Sequence, residues 1–319
     1  MMFSTLRKYK FFYMLYNYFK KEELKHNIHL YRKYGIKKKY YSSVSSEDFI
    51  GMESPANTYD RLDSREALPQ KQVFRELDEE VQEELLPWSE KGYVILKKFF
   101  SDQEIDQVNT EVDHLIKSNQ VKFKWGTKIM FAIKKSQLLY DFGSSERLMK
   151  ILSLLMDKPV QLFQSINFLT GSQQKTHSDS FHMTTFPKGN LIAIWVALED
   201  ISADSGPLHY YPGSHKLPYI MNRDYDNVGT KYELGSKTYA DYTDRIEEEI
   251  EKKHLQKEVL LAEKGDVLIW HANLLHGGEP VQNEKSTRKS MVFHYYTEDA
   301  ICFHEITQRP SLRTSVEPG

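Results

Sequence analysis

Six short strand-like runs fill the second half of the chain, at residues 160–169, 191–198, 208–211, 258–261, 266–271 and 289–296. Runs of this length suit strands better than helices. Gly and Pro punctuate the joins, as at Gly206-Pro207, Pro212-Gly213 and Gly277-Gly278. The first half reads differently. Val73, Phe74, Leu77, Val81 and Leu85 recur at helical spacing over residues 73–86, and Pro87 stops that run. Residues 92–96 read as one early strand. Ser101 with Glu104 three residues on is a capping box for a helix over 105–116, and a further helix spans 145–156. Helices first and many short strands later predict a mainly β fold, a barrel or sandwich with an N-terminal helical wrap.

The 319 residues are enough for one large domain or two ordinary ones. A charged fraction of 28% beside 40% apolar residues excludes wholesale disorder. A net charge of −2 argues against a nucleic-acid partner bound through a global basic surface. That neutral total hides an asymmetry. Eleven Lys or Arg against Glu22 and Glu23 give residues 1–41 a charge of +9, which leaves −11 for the rest. Between Thr5 and Lys21 this arm mixes cations with Tyr9, Phe11, Phe12, Leu15 and Phe19. A basic aromatic helix of this kind suits either peripheral contact with an anionic membrane or docking on its own acidic domain. Residues 42–71, Ser-rich with Pro55 and Pro69, read as a linker or wrapped segment. The main domain is expected over 72–310, followed by a tail at 311–319. A polar insertion over 219–257, with a helix at 242–254, reads equally as a lid or as decoration.

No window of about 18 apolar residues is present, so no membrane-spanning helix is expected. The apolar stretch at 11–19 contains Asn17 and lacks a small-residue cleavage site, unlike a secretory signal. Cys302, the single cysteine, excludes a disulfide framework and a cysteine-based zinc site, and it fits a reducing, cytoplasmic setting.

The chemistry begins at Thr176-His177-Ser178-Asp179, the chain's single His-x-Asp triplet. On a strand, residues two apart share a face, so one imidazole and one carboxylate converge there. By itself the triplet reads more readily as a surface His beside a solvated Asp. A second block, GDVLIWHANLLHGG at 265–278, supplies two further histidines, His271 and His276. Two His and one carboxylate suit iron(II), because they leave adjacent positions open. Arg288 follows His276 by twelve residues, at the start of the last apolar strand. Its planar fork suits a carboxylate, although a solvated strand end would also explain it.

Together these residues carry a resemblance. The stretch from about Phe74 to His294 resembles the phytanoyl-CoA dioxygenase family of iron(II)- and 2-oxoglutarate-dependent oxygenases. It rests on His177-Ser178-Asp179, Trp195 in IAIWVALED, Ser205-Gly206-Pro207-Leu208 and Pro212-Gly213-Ser214-His215. The GDVLIWHANLLHGG block, Arg288 and the opening WSEKGYVILKKFFSDQEI complete it. The resemblance implies a double-stranded β-helix (jelly-roll, cupin-like) core. It implies His177, Asp179 and His276 as catalytic iron ligands, with His276 preferred over His271 for its Leu-His-Gly setting. It further implies Arg288 on the far carboxylate of 2-oxoglutarate, and Trp195 lining the same pocket or buried as a core residue. Ser178 departs from a Gln common in related sequences. His215 reads as a structural or rim histidine, and His182 and His209 as satisfied polar residues.

The implied cofactors are Fe(II), 2-oxoglutarate and O2. The implied reaction is hydroxylation of an unactivated C–H bond in a small-molecule or lipid-like substrate, with release of succinate and CO2. Asp179 fits hydroxylation, since a related halogenase would need a small residue there. A catalytically silent scaffold would have no physical requirement for the four key residues. A zinc cupin would need no Arg288. A protein acting chiefly through its arm would leave the whole set unexplained.

Overall fold

The computed structural model describes residues 8–52, 56–124 and 126–316. Thirteen strands are found among them: β1 (Tyr93–Leu96), β2 (Phe123–Lys124), β3 (Lys128–Met130), β4 (Val160–Phe168), β5 (Thr184–Phe186), β6 (Leu191–Ala197), β7 (Leu208–Tyr210), β8 (Glu258–Leu260), β9 (Val267–His271), β10 (His276–Gly278), β11 (Ser290–Thr297), β12 (Ile301–His304) and β13 (Arg309–Pro310). The principal sheet has the order β1-β9-β6-β11-β4-β3-β2, and every pairing in it is antiparallel. Two three-stranded sheets, β10-β7-β8 and β13-β12-β5, complete a jelly-roll core wrapped by helices, the fold class the sequence suggests.

The strand β6 shows why. Its sequence LIAIWVA is buried at every position, as a central strand covered on both faces must be. Pleat alternation splits it. Ile192, Ile194 and Val196 join Val267, Ile269, Met291 and Phe293 against the helices Asp102–Lys117 and Glu146–Met156, through Ile105, Val108, Leu148 and Leu152. Ala193, Trp195 and Ala197 join Leu268, Trp270 and Val292 on the opposite face, against Leu208, Tyr210 and Leu260 of the small sheet. Each large side chain buried this way contributes about 1.5–3 kcal/mol.

The helices match the sequence reading in part. Ser101 and Glu104 form the expected capping box, with Glu104 Oε2 accepting from Ser101 N at 2.8 Å. The continuous helix expected over 73–86 is instead two short ones, Gln72–Arg75 and Glu79–Leu85. The break falls where Asp78 takes an extended backbone. The insertion helix runs Tyr239–Lys253, starting earlier than expected because Thr238 and Asp241 cap it.

Residues preceding the domain lie on it. Val44, Phe49, Tyr59 and Leu68 are buried, and Phe49 stacks on Phe186 of β5 (centroids 4.2 Å apart). The arm helix spans Lys10–Phe19. Its N-terminal end pairs with the insertion through Lys10 N to Tyr232 O (2.9 Å) and Leu234 N to Lys8 O (2.8 Å). No helix among the described residues is long and apolar enough to cross a membrane.

Candidate metal centre

Backbone pairing sets the site. His177 and His276 form an antiparallel bridge in which each N–H donates to the other's carbonyl, both at 2.9 Å. Such a pair places its side chains on one face, and the two rings lie 4.5 Å apart. Gly277 beside them has no room for a side chain. A Cβ there would sit 2.7 Å from His209 Nε2 and 2.8 Å from Gln174 O. Asp179 arrives differently from the expectation of a shared strand face. It opens a 3-10 turn, Asp179–Phe181, which bends its carboxylate back toward the two imidazoles. Ligand atoms of His177, Asp179 and His276 all lie within 4.8 Å of one another, and all three residues are buried.

Their surroundings prepare them as donors. His177 Nδ1 lies 2.9 Å from Lys175 O and His276 Nδ1 lies 3.0 Å from Leu274 O. Those carbonyls select the Nδ1–H tautomer and leave each Nε2 as the acceptor, as metal-binding imidazoles require: that of His276 lies 3.7 Å from Asp179 Oδ1 and that of His177 lies 3.0 Å from Gln174 Nε2. Burial, reinforced by His276 and His182, pushes the His177 imidazole well below its usual value, so it is neutral. For Asp179 burial opposes ionisation. The His294 and His276 imidazoles outweigh it and hold the carboxyl well below the usual range. Trp270 Nε1 donates to Asp179 Oδ2 at 2.7 Å, and His294 Nε2 lies 3.5 Å from the same oxygen. Across the sheet His294 pairs with Ala193, and Ala193 with Trp270. The small residue in the middle leaves the space into which Asp179 fits.

A cavity of about 60 Å³ runs from this triad to Arg288 and Trp195. Arg288 is 2% exposed, faces the rings of Phe168 and Trp195 at 5.3 and 5.8 Å, and donates to Ser290 Oγ at 3.3 Å. Its Nε has no hydrogen-bond partner, and burial pushes its guanidinium down to about 10. A buried cation with an unsatisfied donor is costly unless an anion joins it. Two imidazoles, an ionised carboxylate and this waiting guanidinium fit a divalent metal and a small dicarboxylate. Lys128 stands nearby, its Nζ 2.7 Å from Gln174 Oε1, and burial followed by Arg288 lowers its ammonium.

The other histidines fall elsewhere. On β9 Leu268 and Trp270 face the cavity, so His271 is buried on the opposite, helix-covered face, 3.4 Å from Asp60 and against Trp88. His215 lies 3.3 Å from Ser89 O, and burial pushes it down to about 3. His209 sits between Glu279 (2.7 Å) and Thr176 Oγ1 (2.9 Å). His182 stacks on Tyr239 of the insertion helix, 5.7 Å from the His177 ring. Ser178 turns toward that helix, its N–H donating to Tyr242 Oη at 3.0 Å. Trp195 is both a core residue and a cavity wall. Sequence reasoning assigns no role to Gln174, Lys128, Trp270 or His294. Of these only Trp270 carries a signal, its place within the GDVLIWHANLLHGG block.

Comparison with known proteins agrees with this geometry. A model of the phytanoyl-CoA dioxygenase family matches residues 88–290. Peroxisomal phytanoyl-CoA dioxygenase of Bos taurus is 25% identical over 257 residues, covering 72% of this chain and 72% of that one. The fold resembles the non-heme alpha ketoglutarate dependent carbocyclase SnoK from nogalamycin biosynthesis. The TM-score is 0.60 at 16% identity, over 76% of this chain and 96% of that one. It also resembles the epimerase SnoN in complex with Fe3+, alpha ketoglutarate and nogalamycin RO. Here the TM-score is 0.54 at 18% identity, over 72% of this chain and 87% of that one.

Proposed function

This chain belongs to the phytanoyl-CoA dioxygenase family, and from that premise we propose that it is an iron(II)- and 2-oxoglutarate-dependent oxygenase. The proposed reaction hydroxylates an unactivated C–H bond of a small-molecule or lipid-like substrate. The observation that carries it is one cavity with a His177–Asp179–His276 donor set at one end and a buried Arg288 with an unsatisfied Nε at the other. Iron(II) and 2-oxoglutarate, when bound, supply the oxidising chemistry, with one oxygen atom of O2 leaving in succinate beside CO2 and the other in the hydroxylated substrate.

The protein's own contribution is placement. His177, Asp179 and His276 hold the metal, and the Lys175 and Leu274 carbonyls keep the two imidazoles in the ligating tautomer. Trp270 and His294 fix the Asp179 carboxylate. Arg288 pairs with the far carboxylate of the co-substrate, and Phe168 and Trp195 flank its guanidinium and exclude water. We assign the catalytic unit to residues 72–310, with 1–41, 42–71 and 311–319 outside it. The insertion 219–257 acts as its lid, since Tyr242 and Tyr239 hydroxyls reach Ser178 N (3.0 Å) and Lys175 O (3.3 Å) beside the ligands. A cytoplasmic setting belongs to the same proposal. Contact of the arm with a membrane is independent of this chemistry.

Succinate release from 2-oxoglutarate, with iron(II) and air supplied, tests the assignment. His276→Ala is expected to abolish release, and His271→Ala to leave it within about threefold, because only His276 touches the metal. Equal loss in both variants, with both folded, would refute the ligand set.

A further inference from the structure

The arm helix Lys10–Phe19 is built inside out. A surface helix normally turns its apolar stripe to the core and its polar stripe to water. Here Asn17 is the residue buried, at 1% exposure, and Tyr13 lies under Arg309, 5.6 Å from the guanidinium. The opposite arc carries Phe11 (64% exposed), Leu15 (42%) and Phe19 (75%), with Phe12, Met14 and Tyr18 beside them. Of the sixteen large hydrophobic residues exposed among the described residues, seven lie in this ten-residue helix. That is a patch, not scatter, and patches of this kind mark interaction surfaces.

The helix is already anchored on the domain by its inward face and by the pairing of Lys8 and Lys10 with the insertion. Its outward face therefore serves something outside the fold. The charge around it states what that is. Lys8 precedes the helix, Lys20, Lys21 and Lys25 follow it, and residues 1–41 carry eleven cations against two acids, a surplus that the pairing of Lys8 with Glu233 (3.6 Å), Lys33 with Asp299 (3.7 Å) and Lys38 with Asp48 (2.6 Å) reduces but does not cancel. Glu22 and Glu23 are engaged by Lys25 (2.5 Å) and Lys20 (2.7 Å) within the same segment. An occupant that is apolar in its interior and anionic at its rim satisfies both features. Aromatic and aliphatic side chains at the acyl boundary, with lysines at headgroup phosphates, are how interfacial helices bind.

We propose that the outward face of helix Lys10–Phe19 docks this protein on an anionic lipid bilayer. Phe11, Leu15 and Phe19 enter the acyl boundary, and the flanking lysines meet the phosphates. The arm sits on the same insertion that carries the Tyr239–Lys253 helix, so docking brings the insertion's surroundings to the membrane surface.

The test is co-sedimentation of the full chain with vesicles of phosphatidylcholine, alone or mixed with phosphatidylglycerol. It needs no metal or co-substrate, so its outcome is separate from that of the oxygenase reading. Partition into the anionic vesicles is expected, with weaker binding to neutral ones and in high salt. Phe11→Ser/Leu15→Ser/Phe19→Ser should weaken it at least about tenfold with an unchanged melting temperature. Lys21→Glu, which keeps the apolar arc and the ion pair of Lys8 with Glu233, should weaken the preference for anionic lipid. Equal partition of the triple variant and the parent would overturn the proposal. So would a parent that ignores vesicles but forms a dimer which the triple variant dissolves.

Discussion

The inner face of the principal sheet and the arm helix break the same rule in opposite directions. Along the cavity on that face the protein buries polar groups, namely Asp179, His177, His276, His294 and Arg288, where a core would be apolar. On the arm it exposes Phe11, Leu15 and Phe19, where a surface would be polar. The buried set shows how such a departure is sustained. Most of its members have a close partner, such as Trp270 on Asp179 or Lys175 O on His177, and the open Nε of Arg288 points to what is to be bound. On the arm's outward face, among the described residues, Phe11, Leu15 and Phe19 stay 42–75% exposed. A buried polar cluster declares a ligand through its unsatisfied atom, and an exposed apolar arc declares a surface through its area.

The largest effect that separates the two regions is in stability. Phe293, 0% exposed on the opposite, helix-covered face of the same sheet, sets the scale for a buried side chain and should cost about 3–5 kcal/mol as Phe293→Ala. Phe19→Ala, at 75% exposure, should stay within about 0.5 kcal/mol in the same denaturant titration. A large loss at Phe19 would mean that the arm's outward face is core after all. Next comes Trp270→Phe, which keeps an aromatic ring and deletes the N–H on Asp179 Oδ2. It should weaken iron(II) binding about 10–100-fold, measured by anaerobic competition with a chelator. An unchanged affinity would remove Trp270 from the account of how Asp179 is held.

The smallest effect is in pH dependence. His215 is buried with its folded value pushed down to about 3, against an ordinary value of 6.5. The folded state therefore binds fewer protons than the unfolded chain between these limits, so its contribution is present above pH 6.5 and is lost as pH falls toward 3. His215→Asn should flatten the acid limb of a stability–pH curve, and an unchanged slope would contradict it.

Much of the fold and of the site is legible in the sequence. Strands β1, β4, β6, β7, β8, β9 and β11 are readable because each is rich in large apolar or aromatic side chains and most have Gly or Pro close by. Strands β2, β3, β5, β10, β12 and β13, two to four residues each, are not, because pairing partners rather than local composition create them. The four residues His177, Asp179, His276 and Arg288 stand out by their types and order. The strand face that His177 and Asp179 were expected to share does not form, since a bridge and a 3-10 turn bring them together instead. The exclusion of His271 is available from pleat alternation, which puts Trp270 and His271 on opposite faces of β9. His294 and Ala193 have no local signal. Their roles exist only across the register of three strands.

The central claim is that His177, Asp179 and His276 hold iron(II) in one cavity with a 2-oxoglutarate site at Arg288. An anaerobic titration of the apoprotein with iron(II) and 2-oxoglutarate, followed by the weak visible metal-to-ligand charge-transfer band, tests it most directly. The account predicts the band in the parent and in His271→Ala, and its loss in His177→Ala and Asp179→Ala. A folded parent that binds iron(II) yet forms no band at saturating 2-oxoglutarate would contradict it, as would a band that survives Asp179→Ala.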